Sequence, residues 1–121
     1  MQIETRQENN HKVALVAADK KLIVDAQSAL DLAMTVQYET DARRIAIAKE
    51  AIKEEFFILS TGLAGEILQK LVNYQFKIAV YGDFSGYTSK PLKDFIYESN
   101  KGAHVFFVAT KEDAVKKLIA A

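Results

Sequence analysis

Arg44-Ile45-Ala46-Ile47-Ala48 is apolar at every position after its first. A strand with one wet face alternates apolar and polar residues, whereas a strand covered on both faces does not. The stretch therefore predicts a doubly buried strand, of the kind found in sheets with parallel pairs and helices packed on them. Phe76-Lys77-Ile78-Ala79-Val80-Tyr81 and the run from His104 to Ala109 have the same character.

Helical periodicity fills the gaps around these strands. Asp25 is placed to cap a helix whose stripe is Ala26, Ala29, Leu30, Ala33 and Met34, spaced for one buried face. Lys49 to Phe57 has room for one or two helical turns with Ile52, Phe56 and Phe57 turned inward. Ser60 to Glu66 opens a helix running to about Tyr74, with Leu63, Ile67, Leu68, Leu71 and Val72 as its stripe. Gly82 to Thr88 reads as a loop. Ser89 then caps a helix that holds Pro91 in its first turn, buries Leu92, Phe95 and Ile96, and ends at Lys101-Gly102. Thr110 with Asp113 resembles a capping box before a last apolar face of Ala114, Val115, Leu118 and Ile119.

Upstream of the first helix the pattern is β. Residues 2 to 8 alternate weakly, as an edge strand does. Asn9-Asn10-His11 reads as a turn, because Asn tolerates left-handed backbone. Lys12 to Ala17 is an apolar β-prone run. Asp19-Lys20 reads as a second turn before a short strand at Lys21 to Val24, so the chain opens with a small meander. The whole predicts an α/β fold in one domain over residues 1–121 with no linker. Its central sheet is mixed, with five to six strands, an N-terminal meander and four helices.

Composition limits the chemistry. The 121 residues include sixteen basic and sixteen acidic side chains, half are apolar, and there is no Cys and no Trp. That apolar fraction excludes a disordered chain. Disulfides, thiol nucleophiles and cysteine-zinc sites are excluded outright. Zero net charge supplies no general attraction to nucleic acid or an anionic membrane, and no nucleic-acid-binding signature is present. No stretch has the length of a signal peptide core or a membrane span. A cytoplasmic protein without cofactor or metal, and with neither nucleic-acid nor membrane partners, is the expectation.

Four groups of residues can carry chemistry. In an α/β sheet ligands sit beyond the carboxyl ends of the strands, here Lys49-Glu50, the Gly82 to Thr88 loop and Thr110. A helix start at Ser60-Thr61-Gly62 offers free N–H groups, and Gly62 and Gly65 let a phosphate or carboxylate approach. The alternative is that these two glycines, one turn apart, serve close helix packing. Glu66 is either a general base or a first-turn carboxylate paired with Lys70. In the loop, Asp83 is a functional carboxylate or a turn residue, and the aromatic Phe84 and Tyr87 cover a pocket, join a partner surface or tuck under the loop. Asp94 and Glu98 share a helix face, where carboxylates either pair for chemistry or sit in solvent beside Lys90, Lys93 and Lys101. His11 and His104 are isolated, and a Ser60 or Ser89, His104 and Asp83 triad lacks the nucleophile elbow.

The run Phe56-Phe57-Ile58-Leu59-Ser60-Thr61-Gly62-Leu63-Ala64-Gly65-Glu66-Ile67-Leu68-Gln69-Lys70 is distinctive. So are Asn73-Tyr74, Gly82-Asp83-Phe84-Ser85 and Asp94-Phe95-Ile96-Tyr97-Glu98-Ser99-Asn100. Together they resemble, nearly end to end, the bacterial family called domain of unknown function 4180, which implies no particular activity. The order of elements resembles the STAS domain of anti-sigma-factor antagonists. In that domain a phosphorylated serine lies in an Asp-Ser-x-Gly-Leu motif at a helix start. Leu59-Ser60-Thr61-Gly62-Leu63 can be laid on this motif with Ser60 at the phosphoacceptor, but Leu59 stands where the motif has Asp.

Two functional expectations follow. The first is a non-enzymatic STAS-like interaction or regulatory module that binds a protein partner or itself through a surface including the Gly62 helix start and the Phe84 to Tyr87 loop. The second is a small-ligand or anion site formed by Thr61, Gly62, Glu66, Asp83 and Ser85, with catalysis as an option in which Glu66 or Asp83 acts as base. The candidates for binding either a ligand or a partner are together Ser60, Thr61, Gly62, Gly65, Glu66, Asp83, Ser85 and Tyr87.

Overall fold

Asn9 and Asn10 both take positive φ (54° and 65°), so the chain reverses in a two-residue turn. Such turns twist in the sense that neighbouring strands require. Strand β1 (Gln2–Glu8) therefore pairs antiparallel with β2 (His11–Ala17), from Glu8 opposite His11 to Gln2 opposite Ala17. The computed structural model describes residues 1–121. Helix α1 (Ala26–Thr40) leads to β3 (Arg44–Ala48), α2 (Leu63–Asn73) to β4 (Lys77–Tyr81), α3 (Lys90–Lys101) to β5 (Val105–Val108), and α4 (Lys111–Ala120) follows. Short 3₁₀ turns at Lys49–Ala51, Glu54–Phe57 and Leu59–Thr61 occupy the segment between β3 and α2. No helix is long and apolar enough to cross a membrane.

The five strands lie side by side in chain order, and β2, β3, β4 and β5 are mutually parallel. Each crossover moves one strand over in the same direction. Right-handed crossovers then place α1, α2 and α3 on one face. Ala14, Val16, Ile45, Ile47, Ile78, Val80 and Phe107 point into the core beneath those helices. Alternate residues Val13, Leu15, Ala46, Ala79 and Phe106 face α4, which buries Ala114, Val115, Leu118 and Ile119. Ala46 and Ala79 are opposite one another on β3 and β4, and their small side chains let a single helix settle close to the sheet.

Arg44 shares that second face. Its Nη1 donates to the main-chain oxygens of Leu118 and Ala121, the latter at 2.8 Å. The guanidinium thereby satisfies carbonyls that the end of α4 leaves free. Burial lowers the pKa of Arg44. Lys77, its register partner on β4, is lowered by burial first and then by the Arg44 charge.

Two sequence expectations need correction. Lys21 to Val24 is not a strand of the sheet; Ile23 makes one isolated parallel bridge, to Ile52. The Leu22 and Ile23 N–H groups both donate to the Ala51 carbonyl, at 2.7 and 3.1 Å, and Lys53 N–H donates to the Ile23 carbonyl at 2.8 Å. These residues are consumed tying the chain before α1 to the segment after β3. The buried stripe of α1 is Ala29, Leu32, Ala33 and Val36, while Ala26 and Leu30 are half-buried and Met34 is 40% exposed. Both stripes satisfy helical spacing, and the docking of α1 on α2 and the sheet selects between them.

Candidate functional site

The carboxyl ends of β3 and β4 are joined by aromatic side chains. Phe57 stacks on Tyr87 with centroids 5.2 Å apart, and Phe84 lies 6.0 Å from both rings. Phe107 of β5 meets Phe84 edge-on at 5.9 Å. Phe84 and Tyr87 are thus tucked under their own loop. A Cβ on Gly82 would lie 2.7 Å from Cγ of Lys49, so the glycine makes room for that lysine's stem. The Lys49 ammonium sits 4.8 Å from the Tyr87 ring centroid, a favourable cation–π position.

Asp83 holds the loop from within. Its carboxylate accepts the Ser85 N–H at 2.9 Å. The side-chain and backbone hydrogen bonds from Ser85 keep its pKa below the usual carboxylate value. This is the Asx turn that Asp favours in loops.

A cleft of about 440 Å³ opens between the 3₁₀ segment and this loop, with the start of α3 as its third wall. Phe57, Ile58, Leu59 and Pro91 supply apolar surface; Glu54, Ser60, Tyr87 and Ser89 supply polar groups. The Tyr87 hydroxyl donates to Glu54 Oε1 at 3.1 Å and bridges the two walls. Burial, reinforced by that bond, pushes the Tyr87 pKa from 10.0 up to about 12. Ile58, at the rim, is 52% exposed. Apolar walls with one carboxylate and several hydroxyls suit a ligand carrying an apolar group and N–H donors; the negative Glu54 disfavours an anion.

Of the sequence candidates, Ser60 and Tyr87 line this cleft, while Thr61, Gly62, Gly65, Glu66, Asp83 and Ser85 do not. The Ser60 side chain is exposed. Helix α2 starts one residue later than a Thr61 cap implies and two later than a Ser60 cap implies. Its N-cap is Gly62, at φ 78°, with no side-chain cap of the usual kind. Thr61 Oγ1 instead accepts the Leu63 N–H at 3.2 Å and lies 2.8 Å from the Ile58 carbonyl. A Cβ on Gly62 or Gly65 would meet nothing within 4 Å, so neither glycine serves close packing. Glu66 is exposed and forms no ion pair with Lys70, unlike Asp94 and Glu98, which pair with Lys90 and Lys101 at 2.7 and 3.7 Å. His11 and His104 lie at the amino ends of β2 and β5, opposite the end that carries Ser60, Asp83 and the cleft.

Glu54 and Ile58 were missed in the sequence. One is an acid in a charged segment and the other one apolar residue in an apolar run, so nothing marks them. Ser89 was legible as a cap, and its Oγ accepts the Leu92 N–H at 3.4 Å; its second position, in the cleft wall, was not.

The family model for Domain of unknown function (DUF4180) matches residues 8–118. The chain belongs to this family. The DUF4180 match begins at the last residue of β1 and takes in all three walls of the cleft. Neither a curated protein nor a solved structure matches the chain.

Proposed function

We propose that this DUF4180 chain is a non-enzymatic, STAS-like regulatory module that docks a segment of a partner protein in the cleft at the carboxyl ends of β3 and β4. The observation that carries this reading is the cleft wall itself: half-exposed Ile58 and the Phe57–Tyr87 stack beside a fixed carboxylate. An extended peptide brings an apolar side chain for the wall and main-chain N–H donors for Glu54. Ser60, exposed on that wall, is the position that the STAS likeness marks for phosphorylation, and a phosphate there adds charge beside Glu54 and repels an acidic partner. With Leu59 in place of the motif's Asp, mass spectrometry of cell-purified protein is expected to show Ser60 unmodified.

Affinity capture from the native cell with wild-type protein and with Ile58→Glu tests the reading. One defined protein is expected on the wild type and none on the variant. Recovery of the same proteins by both would overturn it.

A second reading follows from the Glu54–Tyr87 pair: a small cationic or amide-bearing ligand in the same cleft. A thermal-shift screen separates the two. Stabilisation by a primary amine or amide that disappears in Glu54→Gln supports the small ligand. Stabilisation by inorganic phosphate that Glu54→Gln leaves in place would favour instead an anion site at Thr61, Gly62 and Gly65.

A further inference from the structure

The two edges of the sheet are finished differently. On β5 the side chain of Asn100 accepts the Phe107 N–H at 2.8 Å and donates to the Phe107 carbonyl at 3.0 Å. Ile78 N–H and Gly82 N–H donate to the His104 and Val108 carbonyls. Phe107 is therefore one of the residues whose main-chain groups point away from β4, and Asn100 seals them. That edge is also short, four residues.

Strand β1 carries no such seal. It is seven residues long, has no Pro, and pairs with β2 without a bulge. Glu8 and His11 flank the two-residue turn and so exchange hydrogen bonds with each other. By alternation Arg6, Glu4 and Gln2 also bond to β2, and Ile3, Thr5 and Gln7 direct their N–H and C=O groups outward. Long open edges of this kind add strands from other chains, and proteins usually blunt them.

The charges on β1 identify the chain that fits. A two-fold axis through Thr5 sets Thr5 opposite its own copy and Ile3 opposite Gln7, as hydrogen-bonded pairs. It sets Glu4 opposite Arg6 of the copy, twice, in the non-hydrogen-bonded pairs where side chains approach most closely. This register uses all seven residues. Arg6 spends one N–H on Glu112 Oε2, at 2.6 Å, and keeps the rest of its guanidinium for the copy. We propose that β1 pairs antiparallel with β1 of a second copy about Thr5, giving a two-fold dimer with one continuous ten-stranded sheet. The assembly is independent of the cleft, which lies beyond the carboxyl ends of β3 and β4.

Sedimentation equilibrium of the full chain tests it, with circular dichroism to confirm that each variant folds. Wild type is expected to dimerise as concentration rises. Thr5→Pro removes an outward N–H that β2 does not use, and is expected to remain monomeric. Glu4→Arg and Arg6→Glu each oppose like charges twice and are expected to weaken the dimer about tenfold or more. Mixing these two variants, or combining them in one chain, restores the opposition of Arg to Glu and is expected to restore the dimer. A wild type monomeric at every concentration would overturn the proposal. So would a dimer indifferent to Thr5→Pro and the charge swaps, or single variants that the mixture fails to rescue. Should Thr5→Pro not fold, the two charge variants and their mixture decide.

Discussion

Asn100 is a surface-patterned residue whose function in the fold depends on its two hydrogen bonds to Phe107. Asn100→Ala leaves a main-chain donor and acceptor of the β5 edge unpaired, and is expected to cost about 1–3 kcal/mol by urea unfolding. Asn100→Asp keeps the acceptor and loses the donor, and is expected to fall between wild type and the Ala variant. Glycines 62 and 65 make the opposite point. Each has free space where a Cβ would go, but only Gly62 has positive φ. Gly62→Ala is therefore expected to destabilise by about 1 kcal/mol through left-handed strain alone. Gly65→Ala, inside the first turn of α2, is expected to stabilise by roughly 0.5–1 kcal/mol. Thermal denaturation distinguishes the signs. Glycine in the sequence marked both positions; only the backbone angles separate them.

Caps and stripes show how much of each element is local. Asp25, Ser89 and Thr110 each accept a main-chain N–H of the helix that follows, from Ser28, Leu92 and Asp113. Those bonds form within four residues, so sequence suffices to place them. The stripe of α4 was legible because its other positions, Lys111, Glu112, Asp113, Lys116 and Lys117, are nearly all charged. The stripe of α1 was not, because apolar residues surround most of that helix and two faces satisfy the same spacing. The link between the 3₁₀ segment and the β4–α3 loop is long-range and has a pH signature. Tyr87 is held at about 12 against 10.0 when free, so the unfolded chain releases its proton first as pH rises. Stability is expected to be level below pH 10 on this account and to fall between 10 and about 12. Tyr81, also raised by burial, contributes in the same direction. Urea unfolding across that range is expected to show a shallower fall for Tyr87→Phe.

At the scale of the whole molecule, two cores share one sheet. Leu118 is fully buried against the face opposite α1, α2 and α3. Because the strands between the cores are common to both, Leu118→Ala is expected to cost about 2–5 kcal/mol and to lower the midpoint of the entire domain. Circular dichroism and tyrosine fluorescence, the latter in a Tyr81→Phe background that removes the tyrosine packed on the α4 core and keeps Tyr87 on the far face, are expected to give coincident transitions. A fluorescence midpoint left at its wild-type position would mean that the α4 face melts alone. The sequence by itself determined the class of fold, the order of strands and helices from α1 onward, the caps of α1, α3 and α4 and the doubly buried strands, since each of these follows from residue spacing over a few positions. It also singled out Ser60 and Tyr87. Only the tertiary structure decided that Lys21 to Val24 ties two segments instead of joining the sheet, and which face α1 buries. It also decided that Glu54 and Ile58 meet Tyr87 in one cleft, while Glu66 and Asp83 stay outside it. Those outcomes depend on contacts between residues distant along the chain, and hydrophobic period and capping chemistry carry no information about which distant neighbour a side chain will meet.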